Sequence, residues 1–172
     1  MNVKFLNPFI EAADEVLQAE TQTNLTRGSL GLEKEPYITN DVTVIISMVG
    51  RIEGTVFYSL DEKTALELAS RMLGESLSEF DNLAQSGIAE LGNVITGRAS
   101  VLLSNNGYEA TISPPTLLRG AGAVINTLDY PRLVVPLVGE CGAVTIHLAL
   151  RESALKSFNT GKAPVPQRSN PL

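Results

Sequence analysis

Two neighbouring runs of β-branched and aromatic residues constrain the fold of this 172-residue chain more than any other feature. They occupy residues 42–49 (VTVIISMV) and 52–59 (IEGTVFYS), and only Gly50 and Arg51 separate them. Branched and aromatic side chains favour strands, and a two-residue connection suits a tight turn between antiparallel partners. The chain is therefore predicted to build an antiparallel sheet around this hairpin.

Three segments have the apolar periodicity of helices. The first covers residues 8–20, where Asn7 is a predicted N-cap and a proline stands at the first helical position. The second covers residues 61–73, with Asp61 as its predicted cap. The third and longest covers residues 79–104. Helices of this kind are expected to lie with their apolar side on the sheet.

Strand patterns return after the third helix. They cover residues 108–112, 132–138 and 143–150, whereas residues 21–40 read as a connector with one short strand. The order of helix, hairpin, two helices and several strands predicts an α+β fold. We expect a mainly antiparallel sheet with an N-terminal helix and two long helices packed on one face.

Length and composition bound the organisation of the chain. With 44% hydrophobic residues, 172 residues suffice for one domain with a real core. We expect this domain at residues 1–155. The Pro-rich, polar ending at residues 156–172 is typical of a disordered tail.

Charge and apolar run lengths exclude several classes of partner. A net charge of −6 opposes sustained contact with nucleic acid. No uncharged apolar run approaches the roughly 20 residues that span a bilayer, so no membrane association is expected. The single Cys141 forms no internal disulfide, and the N-terminus lacks a secretory cleavage pattern. The cytoplasm is the expected compartment.

The third helix has two different sides. At 100° per residue, one narrow sector collects the apolar residues Ile88, Leu91, Ile95, Ala99 and Leu102. The opposite sector collects Ser86, Glu90, Asn93 and Gly97. Glycine in a helix interior costs roughly 0.5 to 1 kcal/mol relative to alanine, so a reason for Gly92 and Gly97 is needed.

Two interpretations of this helix are open from the residues alone. In one, the glycines let another molecule approach the polar side closely. In the other, Glu90 and Asn93 are ordinary solvated residues, and Gly92 and Gly97 permit close packing inside the domain.

The segment at residues 86–97 (SGIAELGNVITG) resembles the signature of the CheC, CheX and FliY phosphatases. That signature is Ser or Asp, three residues, Glu, two residues, Asn, and a Pro a little over twenty residues later. Ser86, Glu90 and Asn93 match it in identity and spacing, whereas Pro115 stands one residue early. Residues 7–12 and 114–120 resemble CheX-type members in particular, so the resemblance covers the chain to about residue 150.

The resemblance implies a protein phosphatase that hydrolyses the aspartyl phosphate of a CheY-like response regulator in chemotaxis. In the implied roles, Asn93 orients the attacking water and Glu90 pairs with a Lys of the regulator. Ser86 and Gly97 flank the contact. The expected Mg²⁺ belongs to the regulator, so this chain is expected to bind no metal and no cofactor itself.

The resemblance also bears on site number and assembly. CheC-type members carry a Glu and Asn pair in each half, whereas the first-half pair here is Glu11 and Asp14. A carboxylate repels phosphoryl oxygens and donates no amide hydrogen bond, so one active face per chain is expected. CheX relatives form dimers, and we expect a homodimer in which a late strand such as residues 133–138 offers an unpaired edge.

Two non-catalytic alternatives stay open at this stage. The chain is either a module that docks on a receiver domain without catalysis, or a dimerisation module, of a chemotaxis or other two-component pathway. The retained Asn93 argues against the docking module, because a docking surface does not need that amide, whereas in a dimerisation module the polar face at Glu90 would be incidental. His147 has no second His nearby in the sequence, so a surface or structural role is predicted in place of a metal site.

Overall fold

The structure, a computed structural model, describes residues 3–127 and 130–154. The predicted tail at residues 156–172 lies outside the described residues. A 3₁₀ turn at Val3–Phe5 leads into α1 (Leu6–Thr21), which is followed later in the chain by α2 (Glu62–Leu73) and α3 (Asn82–Asn105). Within the described part of the chain, no helix is long and apolar enough to cross a membrane.

The strands form one large sheet and one small one, and every pairing is antiparallel. In chain order they are β1 (Thr26–Arg27), β2 (Gly31–Glu33), β3 (Tyr37–Ile38), β4 (Val42–Gly50), β5 (Ile52–Leu60), β6 (Ala110–Ile112), β7 (Thr116–Arg119), β8 (Val124–Ile125), β9 (Arg132–Gly139) and β10 (Gly142–Glu152). The large sheet has the order β1-β9-β10-β5-β4-β6, with β2 beside β9 and β7 beside β4. The small sheet pairs β3 with β8. The predicted β4–β5 hairpin is confirmed.

The main core lies between one face of the large sheet and the helices. Alternate residues of the central hairpin, such as Val44, Ile46 and Val56, are fully buried in the same cluster as the apolar sides of α1, α2 and α3. Burial of this apolar surface is the main favourable term in folding. The predicted α+β class, with the helices on one face of an antiparallel sheet, is confirmed.

Strand residues whose side chains point away from the helices form a smaller buried cluster on the other face of the large sheet. Phe57 and His147 stack with ring centroids 5.0 Å apart, and the ring of Tyr37 from the small sheet lies 4.5 Å from His147. Arg132 is also buried there, and its guanidinium donates to the Glu33 carboxylate at 2.6 Å. His147 therefore has a structural role, and the alternative of a surface position is wrong.

The start of α1 differs from the prediction. The 3₁₀ turn places the helix start at Leu6, so Asn7 lies inside the helix and does not cap it. Phe5 occupies the N-cap position and makes no side-chain cap hydrogen bond. Burial of Phe5 and Leu6 in the core explains why the helix extends beyond its capping signal.

The starts of α2 and α3 follow capping chemistry. The Asp61 carboxylate accepts a hydrogen bond from the Thr64 backbone N–H at 2.6 Å, as predicted. Asp81 does the same for Ala84 at 2.9 Å, so α3 begins at Asn82 and not at residue 79. Each carboxylate satisfies a backbone donor that has no partner within its helix.

The prediction that residues 133–138 offer an unpaired edge is wrong. β9 pairs with β10 on one side and with β1 and β2 on the other. Between those two short strands, the Gly28 N–H donates to the Pro136 carbonyl at 2.8 Å. The connector at residues 21–40 thus contributes three short strands, of which two cover the edge of β9.

Candidate functional site

The helix α3 is held on the sheet by one continuous buried side. The buried residues of α3 are Ala84, Ile88, Leu91, Gly92, Ile95, Thr96, Ala99 and Leu103. The predicted stripe is confirmed apart from its end, where Leu103 is buried and Leu102 is only partly so. This packing orients the other side of the helix outward.

Gly92 and Gly97, the two glycines whose presence in the helix needs an explanation, have different surroundings. A Cβ on Gly92 would lie 2.8 Å from Val44 Cγ1 and 3.2 Å from Tyr58 Cδ2, so the helix backbone sits directly on the hairpin. A Cβ on Gly97 would meet only Ile112 Cδ1, at an ordinary 3.9 Å. Internal packing therefore explains Gly92 and does not explain Gly97.

A buried hydrogen-bond chain ties α3 to the sheet beneath this outward side. The Thr96 hydroxyl donates to the Gly92 carbonyl at 2.8 Å, and the Tyr58 hydroxyl lies 2.8 Å from Thr96 Oγ1. Burial raises the pKa of Tyr58, so the phenol stays protonated and donates to Thr96. These two hydrogen bonds fix the backbone of the helical turn that follows Asn93.

Glu90 and Asn93 lie side by side on the outward side of α3. Asn93 Nδ2 donates to Glu90 Oε2 at 3.4 Å, a long hydrogen bond that leaves both groups able to bind elsewhere. Glu90 is exposed and Asn93 is half-buried. The predicted shared face is confirmed, and it presents one carboxylate and one neutral amide to a partner.

Ser86 and Gly97 lie on the same side, about one turn to either end of the pair. The Ser86 hydroxyl donates to the Asn82 carbonyl at 2.8 Å, so only its acceptor capacity remains for a partner. Gly97 is partly exposed and offers a surface without a side chain. The structure brings all four predicted site residues onto one surface.

A bidentate ion pair joins α3 to α1 near this surface. The Arg98 guanidinium donates to both carboxylate oxygens of Glu15, at 2.6 and 3.1 Å. This hydrogen bonding holds the pKa of Glu15 below its usual value. Both side chains are exposed, so the pair fixes geometry more than it stabilises the fold.

The first-half pair lies on a different helix. Glu11 and Asp14 are exposed on α1, where they line a groove together with Arg27 and Leu25. Two carboxylates at this place offer no amide to a phosphoryl group.

Among the described residues, no group of three or more His, Cys, Asp or Glu side chains is arranged to hold a metal ion.

Some residues of this region were missed by reasoning from the sequence. Tyr58 and Thr96 belong to elements far apart in the chain, and no local signal indicates that they meet. Leu83, Val94 and Val101 are exposed apolar residues on the outward side of α3, and their positions outside the buried stripe can be read from the helical period.

Comparisons with known proteins cover this helix and much of the sheet. The family described as Chemotaxis phosphatase CheX matches residues 42–138, which include all of α3. A Thermotoga maritima protein named CheY-P phosphatase CheX is 30% identical over 121 residues, which are 70% of this chain and 78% of that protein.

Solved structures show the same likeness. A CheC-like superfamily protein from Shewanella sp. PV-4 aligns with a TM-score of 0.80 and 31% identity, covering 88% of this chain and 99% of that chain. A chain from the CheX-CheY-BeF3-Mg complex of Borrelia burgdorferi aligns with a TM-score of 0.69 and 26% identity, covering 88% and 100% respectively.

Proposed function

This chain belongs to the CheX family of chemotaxis phosphatases, and we propose that it hydrolyses the aspartyl phosphate of a CheY-like response regulator. The observation that carries the proposal is the pair of Glu90 and Asn93, with Asn93 Nδ2 3.4 Å from Glu90 Oε2 on the outward side of α3. A relative from Borrelia burgdorferi has been solved together with CheY, which supports a partner of this kind.

In the proposed reaction, Asn93 positions the nucleophile. A water molecule attacks phosphorus, the bond to the aspartyl oxygen breaks, and inorganic phosphate and a free aspartate carboxylate result. A neutral amide can accept from the water or donate to it without repelling the phosphoryl oxygens. Holding the water in line with the breaking bond lowers the entropic part of the barrier.

Glu90 fixes the position of the regulator. Its exposed carboxylate is suited to a charge-assisted hydrogen bond with a Lys beside the phosphoaspartate. The hydrogen bond between Glu90 and Asn93 then couples the docked position to the orientation of the amide. Ser86 and Gly97 border the contact and contribute shape.

The charge on the phosphoryl group is neutralised by groups that we assign to the regulator. Mg²⁺ bound there would stabilise the developing charge, while this chain contributes an amide and a carboxylate. We also assign the chain to the cytoplasm and to a homodimer. Of the described strands, β6 and β7 lie at one border of the large sheet and β1 and β2 at the other, so the dimer contact would involve one of these borders.

The proposal predicts the effect of removing the amide. We expect Asn93→Ala to lower the rate of phosphate release from a phosphorylated CheY-type regulator, with Mg²⁺ present, at least about 100-fold, because the water loses its orienting group. Binding of the regulator should persist. Asn105→Ala, an exposed Asn of the same helix, is the matched control and should keep the wild-type rate.

Glu90→Ala distinguishes docking from chemistry. It should raise KM as well as lower kcat, whereas Glu20→Ala, which removes an exposed charge from α1, should change neither. Rapid turnover by Asn93→Ala would show that the assignment is wrong. Binding of the regulator by the wild-type chain without acceleration would indicate a non-catalytic docking module.

A further inference from the structure

The groove beside Glu11 and Asp14, here called the α1 groove, has no part in the chemistry assigned to α3. One wall of the groove is α1, and the other is formed by β9 and the segment at residues 25–27. Ile10, Leu25 and Leu137 line it with apolar surface. Its volume of about 410 Å³ falls within the roughly 300 to 1,000 Å³ of ligand sites, so several side chains of a peptide fit into it.

Two carboxylates on the wall of the α1 groove lack a cation. Glu11 and Asp14 are both exposed and stand three residues apart in the helix. Within the part of the chain that the structure describes, neither carboxylate forms an ion pair. Like charges one turn apart weaken a helix. A cation bound between these two side chains would relieve their repulsion.

The end of the printed sequence carries cations of the required kind. All 19 acidic residues precede residue 155, whereas the segment at residues 155–172 contains basic residues and no acidic one. Its basic residues are Lys156, Lys162 and Arg168, and Phe158 lies between the two lysines. Positive charge and a large apolar side chain match the carboxylates and the apolar lining of the α1 groove.

This segment begins close to the α1 groove. Glu152 forms an ion pair with Lys4 at 2.8 Å, and Asn7, which lines the groove, follows Lys4 by three residues. An extended chain advances roughly 3.3 Å per residue, so the path from Ala154 to Lys162 spans up to about 26 Å. At 1.5 Å per residue, the helix needs only about 10 Å from Asn7 to Asp14. The basic segment therefore reaches the whole groove.

We propose that residues 156–168 bind in the α1 groove of the same chain, with the lysines paired to Glu11 and Asp14 and with Phe158 on the apolar lining. The tether keeps the segment near the groove at an effective concentration on the order of 1 mM, so weak contacts suffice. The pair that is unsuited to phosphoryl hydrolysis thus acquires a use, because a second carboxylate in place of an amide makes a stronger cation site.

Paramagnetic relaxation in NMR spectra of the full chain tests this contact. A nitroxide is attached to Thr160→Cys in a Cys141→Ser background, because Cys141 is the only cysteine. We expect the backbone amide signals of Ile10 and Leu25 to lose most of their intensity and to regain it when the nitroxide is reduced. The amide of Leu77, which lines a different cavity between α2 and the β9–β10 turn, should keep its intensity.

Charge variants separate binding from mere proximity of a tethered segment. Glu11→Lys and Asp14→Lys should each sharply reduce the intensity loss at the α1 groove. Glu20→Lys is the matched control, because it makes the same change of charge at an exposed position of the same helix outside the groove. The loss should also weaken between about 0.05 and 0.5 M salt, since exposed ion pairs are screened.

A charge exchange tests the pairing directly. Glu11→Lys/Asp14→Lys should abolish the intensity loss, and adding Lys156→Glu/Lys162→Glu should restore it. Absence of restoration would overturn the assigned pairing. Equal effects of Glu20→Lys and the two groove variants would overturn binding in the groove.

A mixed sample tests whether the contact lies within one chain. The nitroxide is placed on a chain without isotope label, and the signals of a ¹⁵N-labelled chain without nitroxide are recorded. Unchanged signals at the α1 groove support binding within the chain, and an intensity loss there overturns it. None of these measurements uses phosphate release, so failure of this proposal and failure of the proposed function are distinguishable.

Discussion

At the scale of single residues, His147 shows how position in the sheet controls chemistry. Its ring is stacked on Phe57 and contacts the tilted ring of Tyr37, and Nε2 lies 3.1 Å from Ser59 Oγ. Burial, together with the positive charge of Arg132, lowers the pKa of His147 from 6.5 to about 4. The imidazole is therefore neutral at physiological pH and serves packing.

This shift predicts a pH dependence of stability. Between pH 6.5 and about 4 the unfolded chain binds a proton at His147 that the folded chain does not, so the stabilisation present above pH 6.5 is lost as pH falls. At pH 5 the loss from this group should be about 2 kcal/mol. Urea unfolding at pH 7.5 and pH 5 measures it.

The control for this prediction is His147→Gln, which removes the titrating group. Its free energy of unfolding should fall by about 2 kcal/mol less between the two pH values than that of the wild type, because the carboxylates contribute alike in both proteins. Equal losses in both proteins would contradict the role assigned to His147.

At the scale of elements, α3 combines two surfaces with opposite requirements. Its inner side needs close contact with the β4–β5 hairpin, which Gly92 permits and the hydrogen bond between Tyr58 and Thr96 secures. Its outer side carries the exposed Glu90 and the half-buried Asn93. Rigid attachment on one side is what gives the other side a defined geometry.

The glycines of α3 predict opposite effects on stability. Gly92→Ala should lower the free energy of unfolding by about 1 to 2 kcal/mol, because its Cβ would overlap Val44 and overpacking outweighs the gain in helix propensity. Gly87→Ala should raise it by about 0.5 to 1 kcal/mol, since nothing lies within 4 Å of the added Cβ. Chemical denaturation of both variants decides this, and a stabilised Gly92→Ala would contradict the packing described.

At the scale of the whole molecule, the three described helices share one core with the sheet, and α3 is the one that carries the Glu90 and Asn93 pair. The corresponding pair on α1, Glu11 and Asp14, is exposed and consists of two carboxylates. The molecule is thus expected to have one working face, with α1 serving as a packing partner that is clamped to α3 by Glu15 and Arg98.

The double variant Glu11→Ala/Asp14→Ala tests this asymmetry. Both side chains are exposed, so the fold should tolerate their removal, and kcat/KM toward a phosphorylated regulator should stay within about twofold of wild type. A loss comparable to that of Asn93→Ala would mean that α1 carries a second active face.

Local patterns predicted much of the fold. The β4–β5 hairpin, the three helices and the Asp61 cap depend on residues close together in the chain, and each is present, although α1 begins earlier and α3 later than predicted. The start of α1 was misplaced because burial of Phe5 and Leu6 extends the helix past Asn7. The edge status of β9 was misjudged because short strands from residues 26–33 carry too little pattern to reveal their pairing.

The sequence by itself determined that Glu90 and Asn93 share the outward side of one helix, because residues three apart in a helix are neighbours whatever surrounds it. Only the tertiary structure decided that Gly92 serves internal packing while Gly87 and Gly97 face solvent, that His147 is buried, and that β9 is covered on both sides. Each of those facts depends on a second surface supplied by a distant part of the chain, and the identity of that surface is set by the packing of the whole domain.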